Sequence, residues 1–148
     1  MIVYGPWPTL HLLYCVTGRQ HLEGEMDQAM QRALRAYVAA WSEGDKAKRD
    51  ELLERGFAAD GQYVDNAGRA AGREELSAMI GQFLATYPGA TMAVDSGIDE
   101  HDRYARFTWV IRDGDGNVIM PGMDFAAFDA EGMVTQIVGF FGPIPEAA

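Results

Sequence analysis

Apolar residues recur every three or four positions from residue 27 to residue 41. Met30, Leu34, Tyr37, Val38 and Trp41 fall on one face, and that period predicts an amphipathic helix. Asp27 supplies its N-cap and Gly44 ends it. A second, highly charged helix over residues 45–55 buries Leu52 and Leu53 and stops at Gly56, with Phe57 continuing its apolar face. Residues 62–65 form a short strand running into an Asn66-Ala67-Gly68 turn. A third helix spans residues 73–87, with a stripe of Leu76, Met79, Ile80, Phe83, Leu84 and Tyr87, and Pro88-Gly89 stops it.

Beyond residue 90 the apolar period shifts toward two. Strands are predicted over residues 91–98, 104–112, 118–128 and 133–141. In the second, Ala105, Phe107, Trp109 and Ile111 share one face, while Tyr104, Arg106, Thr108, Val110 and Arg112 share the other. Turns fall at residues 99–102, at the Asp-Gly-Asp-Gly-Asn hairpin of 113–117, and at 129–132. Three helices followed by an antiparallel meander predict an α+β domain with the helices packed on one face of a strongly curved antiparallel sheet. Residues 1–25 sustain no period and are broken by Gly5, Pro6, Pro8, Gly18 and Gly24, so they read as a poorly packed extension to a domain of 26–148.

Composition narrows the function more than the fold. Hydrophobic residues make up 48% of the chain and charged residues 23%, as in ordinary globular domains. Acidic residues outnumber basic ones 22 to 12, a formal charge of −10, which excludes nucleic acid and anionic membrane surfaces as natural partners. A neutral small molecule fits better. Cys15 is the only cysteine, so an intrachain disulfide and a cysteine-based zinc site are both ruled out. The apolar stretch 7–16 is interrupted by His11, with no basic run before it and no small-residue cleavage site after it, so a cytoplasmic location is expected. His11, His21 and His101 assemble no metal set or nucleophilic triad, and residues 68–72 lack the dinucleotide spacing. No metal and no cofactor are expected.

Asp124 is the residue most out of place. Aspartate is disfavoured within strands, and Met120, Met123, Phe125 and Phe128 around it are apolar. In a dry site desolvation favours the neutral acid, which can donate a hydrogen bond to a developing oxyanion. At a sheet edge the same residue would face solvent or pair with Arg106 or Arg112. Asp65, ahead of a glycine turn, either caps that turn or stands at a pocket mouth as a general base. Tyr37 on the buried helix stripe is either core or a hydroxyl donor. A greasy pocket would take Trp41, Phe57, Met79 and Phe83 from the helical half. From the strands it would take Tyr63, Phe107, Trp109, Gly122 and Phe141.

Read together, AYVAAWSEGD (36–45), QYVDNAG (62–68), GREEL (72–76), PGMDFAAF (121–128) and IVGFFG (137–142) resemble the nuclear transport factor 2-like superfamily, which includes SnoaL-like proteins and ketosteroid isomerases. The likeness runs in order from about residue 26 to 142. It implies a cone-shaped, cystatin-like α+β fold, commonly homodimeric, with a pocket for a neutral hydrophobic molecule. From the isomerase branch it implies Asp65 as the base, with Tyr37 and a protonated Asp124 holding the enolate oxygen, and no cofactor. Isomerisation or aldol-type cyclisation of a hydrophobic carbonyl compound would follow. Epoxide hydrolysis, or non-catalytic ligand or partner binding, are the other outcomes the fold supports. Three departures stand out: Asn66 where many isomerases carry proline, a longer stretch between Tyr37 and Asp65, and Trp109 narrowing the cavity.

Overall fold

The computed structural model describes residues 26–147, so the expectation for residues 1–25 lies outside the described residues. Three helices open the domain: α1 (Gln28–Ala40), α2 (Lys46–Gly56) and, after two strands, α3 (Gly72–Thr86). Asp27 caps α1 by accepting the Ala29 N–H, and Asp45 caps α2 by accepting the Lys48 N–H, both at 3.0 Å. At α3 the Glu75 side chain reaches back to the Ala71 N–H at 2.8 Å. Among the described residues no helix is long and apolar enough to cross a membrane.

The strands are β1 (Phe57–Val64), β2 (Arg69–Ala71), β3 (Thr91–Val94), β4 (Asp99–His101), β5 (Tyr104–Arg112), β6 (Val118–Phe128) and β7 (Val134–Phe141). They form one curved sheet in the order β2-β1-β7-β6-β5-β3, with β4 also on β5. The sheet is mixed rather than wholly antiparallel, because β1 pairs with β7 in parallel. The α1 and α2 helices pack on each other, α1 touches β3 and β7, and α3 covers β1 and β2. Leu34, Leu53, Leu76, Ile80, Ala126, Val134 and Ile137 form the centre of the core, each 2% exposed or less.

Several elements depart from the sequence pattern. Phe57 does not extend the α2 face but opens β1, which is eight residues long rather than four. Gly61 permits this, since a Cβ there would press on the Phe57 ring at 2.5 Å. β2 carries too few residues to show a period. The strand expected at 91–98 ends at Val94, where side chains take over from the ladder. The Thr108 N–H donates to Ser96 Oγ at 2.8 Å and the Thr108 hydroxyl to Asp95 Oδ1 at 2.6 Å. The turn expected at 99–102 tightens to Asp102 and Arg103, with Asp102 at φ 54°, and Asp99–His101 becomes β4. Val110, expected on the outer face, is buried between its register partners Ala93 and Pro121. Leu52 is only half-buried; Leu53 is the one that reaches the core.

Candidate functional site

Asp124 lies in the middle of β6, with Phe107 of β5 and Gly139 of β7 directly beside it in register. All three face inward, and Asp124 is 2% exposed, so it neither meets solvent nor pairs with an arginine. Arg106 is instead bound to Asp99 at 2.6 Å on the outer face. Two side chains donate to the carboxylate: Trp109 Nε1–H to Oδ1 at 2.8 Å, and the Tyr37 hydroxyl to Oδ2 at 3.2 Å.

Each donor is placed by a local feature. Trp109 lies two residues beyond Phe107 on the same face, opposite Gly122. Gly122 has no side chain, and a Cβ there would overlap the Trp109 ring, so the indole lies flat across β6 and turns its N–H to Asp124. Tyr37 comes down from α1, its ring stacked on Phe57 with centroids 6.4 Å apart.

Desolvation pushes the Asp124 carboxyl up from 3.8 to about 7. The hydrogen bonds from Trp109 and Tyr37 oppose that shift, and the nearby Asp65 charge adds to it. Burial raises the Tyr37 hydroxyl well above its ordinary 10.0, with the Asp124 charge adding to the effect. Near neutrality the site therefore holds a phenol beside a carboxyl that shares its time between acid and carboxylate. The Trp109 N–H is a donor only, so Oδ1 accepts in both states. With a proton on Oδ2 the 3.2 Å contact reverses, and the Tyr37 hydroxyl is released to donate into the cavity.

Asp65 follows the last residue of β1. Its Oδ1 accepts the Ala67 and Gly68 N–H groups at 2.7 and 2.9 Å, which is the turn-capping role. Its Oδ2 accepts the Tyr63 hydroxyl at 2.6 Å, and the residue also lines the cavity. Asn66, where the isomerase pattern has proline, accepts the Phe141 N–H at 3.0 Å and so ties the Asp65 loop to the end of β7. Burial, then the bond to Asp65, raises the Tyr63 hydroxyl far above 10.0. The two clusters meet at Gly139. A Cβ there would lie 3.0 Å from Asp124 Oδ1, 3.3 Å from Asp65 Cβ and 3.9 Å from the Tyr63 hydroxyl.

These groups line one cavity of ≈ 410 Å³. Of the residues singled out in the sequence, Tyr37, Trp41, Tyr63, Asp65, Met79, Phe83, Trp109, Asp124 and Phe141 line it. Three expected lining residues do not. Phe57 is fully buried beneath Tyr37, Phe107 lies deeper in the core, and Gly122 is covered by the Trp109 ring. Met92, Ile111 and Met120 complete the apolar wall, and Ala67, Gln82, Thr86 and Tyr87 also line it. Gln82 and Thr86 carry no sequence signal, because polar residues near a helix end look like solvated surface. Among the described residues, no Lys, Arg or His lines the cavity, so two carboxylates dominate the electrostatics of this lining and disfavour an anionic ligand. No group of three or more His, Cys, Asp or Glu able to hold a metal occurs among the described residues.

The sequence pattern of the SnoaL-like domain matches residues 34–137. No curated protein sequence matches the chain. Among solved structures, the chain is similar to a candidate isomerase of the SnoaL-like family from Agrobacterium tumefaciens, at 28% identity and a TM-score of 0.72, covering 78% of this chain and 98% of that one. It is similar in fold to a protein with a ketosteroid isomerase-like fold from Catenulispora acidiphila (20% identity, TM-score 0.59, covering 74% and 85%). A candidate SnoaL-like polyketide cyclase from Jannaschia sp. CCS1 shares the fold too (11% identity, TM-score 0.60, covering 79% and 90%).

Proposed function

The chain belongs to the SnoaL-like domain family, and from that premise we propose that it is a cofactor-independent, cytoplasmic acid/base enzyme acting on a neutral, hydrophobic carbonyl compound. The observation that carries this reading is the meeting of two hydrogen-bonded carboxylates at Gly139 in one largely apolar cavity. Asp65 and Asp124 have different surroundings there, and unlike surroundings divide acid from base. Asp65, held in one orientation by Tyr63 and the turn, removes a proton from the carbon next to the carbonyl. The C–H electrons form the C=C bond, and the carbonyl oxygen takes up the charge. Tyr37 donates to that oxygen, with the Asp124 proton behind it and Trp109 holding Asp124 in place. Returning the proton to a different carbon gives an isomer. Attack of the enolate carbon on a second carbonyl of the same molecule gives a ring.

Conversion of an unconjugated enone to its conjugated isomer, followed by absorbance, tests the assignment. Asp65→Ala is expected to lower the rate by ~10²–10⁴-fold; an unchanged rate removes Asp65 as base. One observation favours a second reading, a ligand-binding module without turnover. The Asp65 oxygens are already engaged by three donors, as a pure turn cap requires. Ketone binding with no α-proton exchange in D₂O would establish that reading instead. The outer sheet face, where Tyr104 is 43% and Phe140 51% exposed, supports a homodimer.

A further inference from the structure

The proposed carbonyl ligand leaves one buried donor of the cavity wall without a partner. Trp41 is the C-cap of α1 and lies four residues after Tyr37, so the two side chains stand next to each other on the helix face over the cavity. Its indole is clamped between Tyr63 and Phe83, with centroids 5.5 and 5.9 Å away, and is 7% exposed. Among the described residues, Trp41 Nε1 is the one buried side-chain nitrogen or oxygen with no hydrogen-bond partner. Buried donors are almost always satisfied, because an unsatisfied one carries its full desolvation penalty. The contrast with Trp109 is informative, since that indole N–H is wholly committed to Asp124.

Of the influences on the Tyr37 hydroxyl, the Trp41 side chain alone favours the phenolate, although the pair falls short of hydrogen-bond geometry.

We infer that Trp41 donates its indole N–H to the ligand's oxygen, so that the oxygen sits between two donors, Trp41 Nε1 and the Tyr37 hydroxyl. An indole N–H can only donate. The matching atom must therefore be an acceptor, which selects a ketone or enolate oxygen over a hydrocarbon of the same shape. Trp41 thereby determines specificity. The inference rests on the carbonyl reading above and adds a second donor to it.

The test uses the full chain and two ligands of nearly equal shape, 2-acetylnaphthalene and 2-ethylnaphthalene, with affinities measured by calorimetry. The wild type is expected to prefer the ketone by about tenfold or more, a typical worth for a satisfied buried donor pair. Trp41→Phe should shrink that preference several-fold and leave hydrocarbon affinity nearly unchanged. The proposal falls if Trp41→Phe weakens both ligands alike, because the ring would then serve packing only. It falls equally if the preference survives Trp41→Phe but disappears in Tyr37→Phe, in which case the carbonyl reading stands without it. A wild type that does not prefer the ketone overturns both. Independently of any variant's fold, the ¹⁵N–¹H signal of the Trp41 indole in the wild type should move downfield with the ketone and not with the hydrocarbon. An indole signal that responds identically to both ligands counts against the donor role.

Discussion

Asp124 holds its proton to about pH 7, whereas an aspartate in an unfolded chain releases it near 3.8. Between those values the folded protein binds more protons than the unfolded one, so this group makes stability fall as pH rises. Its contribution is fully present below pH 3.8 and is lost as pH passes through about 7. The slope is at most about 1.4 kcal/mol per pH unit. Asn at this position keeps an acceptor for Trp109 and a donor for Tyr37 without ionising. Urea denaturation should therefore find Asp124→Asn more stable than wild type at pH 8, with the advantage shrinking below pH 7 and gone near pH 4. Parallel curves for the two proteins would mean that Asp124 is not desolvated. At this scale the sequence was partly legible. An aspartate among Met and Phe, and a tyrosine on a buried stripe, are visible as misfits in one dimension. The Trp109 contact to Asp124 was not legible, because it depends on the bare Gly122 across the ladder, and register is a property of two strands at once. Nor was the dual role of Asp65, whose two oxygens serve the turn and the cavity separately.

The site is held between elements as much as by residues. Gly139 sits on β7 directly opposite Asp124, and its strand conformation is one that any residue can adopt. Gly139→Ala therefore tests space alone. The added methyl would stand 3.0 Å from Asp124 Oδ1 and 3.3 Å from Asp65 Cβ, closer than the neighbours can accept without moving. Overpacking of this kind costs about 1–3 kcal/mol. The more telling readout is the Trp109 indole ¹⁵N–¹H signal, which should shift as Asp124 Oδ1 is displaced, together with a loss of enone turnover. A stable variant with an unmoved Trp109 signal would show that the two carboxylates do not share that space. The helices and the meander were legible because their periods of 3.6 and 2 repeat over many residues. β1 was legible only at its C-terminal half. Its first half, Phe57 to Gly61, contains two alanines, an aspartate and a glycine, none of which favours a strand; only Phe57 of it is in register with β7, opposite Val134, before an irregularity that lasts to Gln62.

At the scale of the whole molecule, the inner sheet face is spent on the core and cavity, and the outer face is left partly apolar. Phe140, Met123 and Thr108 form one outward row in register across β7, β6 and β5, and Tyr104 stacks on Phe125 at 5.7 Å farther along. In the proposed homodimer these rows meet their counterparts. A charge of −10 on each copy works against that, since two copies repel at long range while the apolar face attracts at contact. The balance gives a salt dependence with a definite sign. The Debye length shrinks from roughly 20 Å at 20 mM salt to under 6 Å at 300 mM, so repulsion is screened while burial of Phe140 is not. Sedimentation equilibrium should therefore show tighter dimerisation as salt rises. Phe140→Glu, which adds charge to the patch itself, should leave a folded monomer at low salt. Dimerisation that weakens with salt would mean that ion pairs hold the copies together, and the contact would then have to lie away from this face.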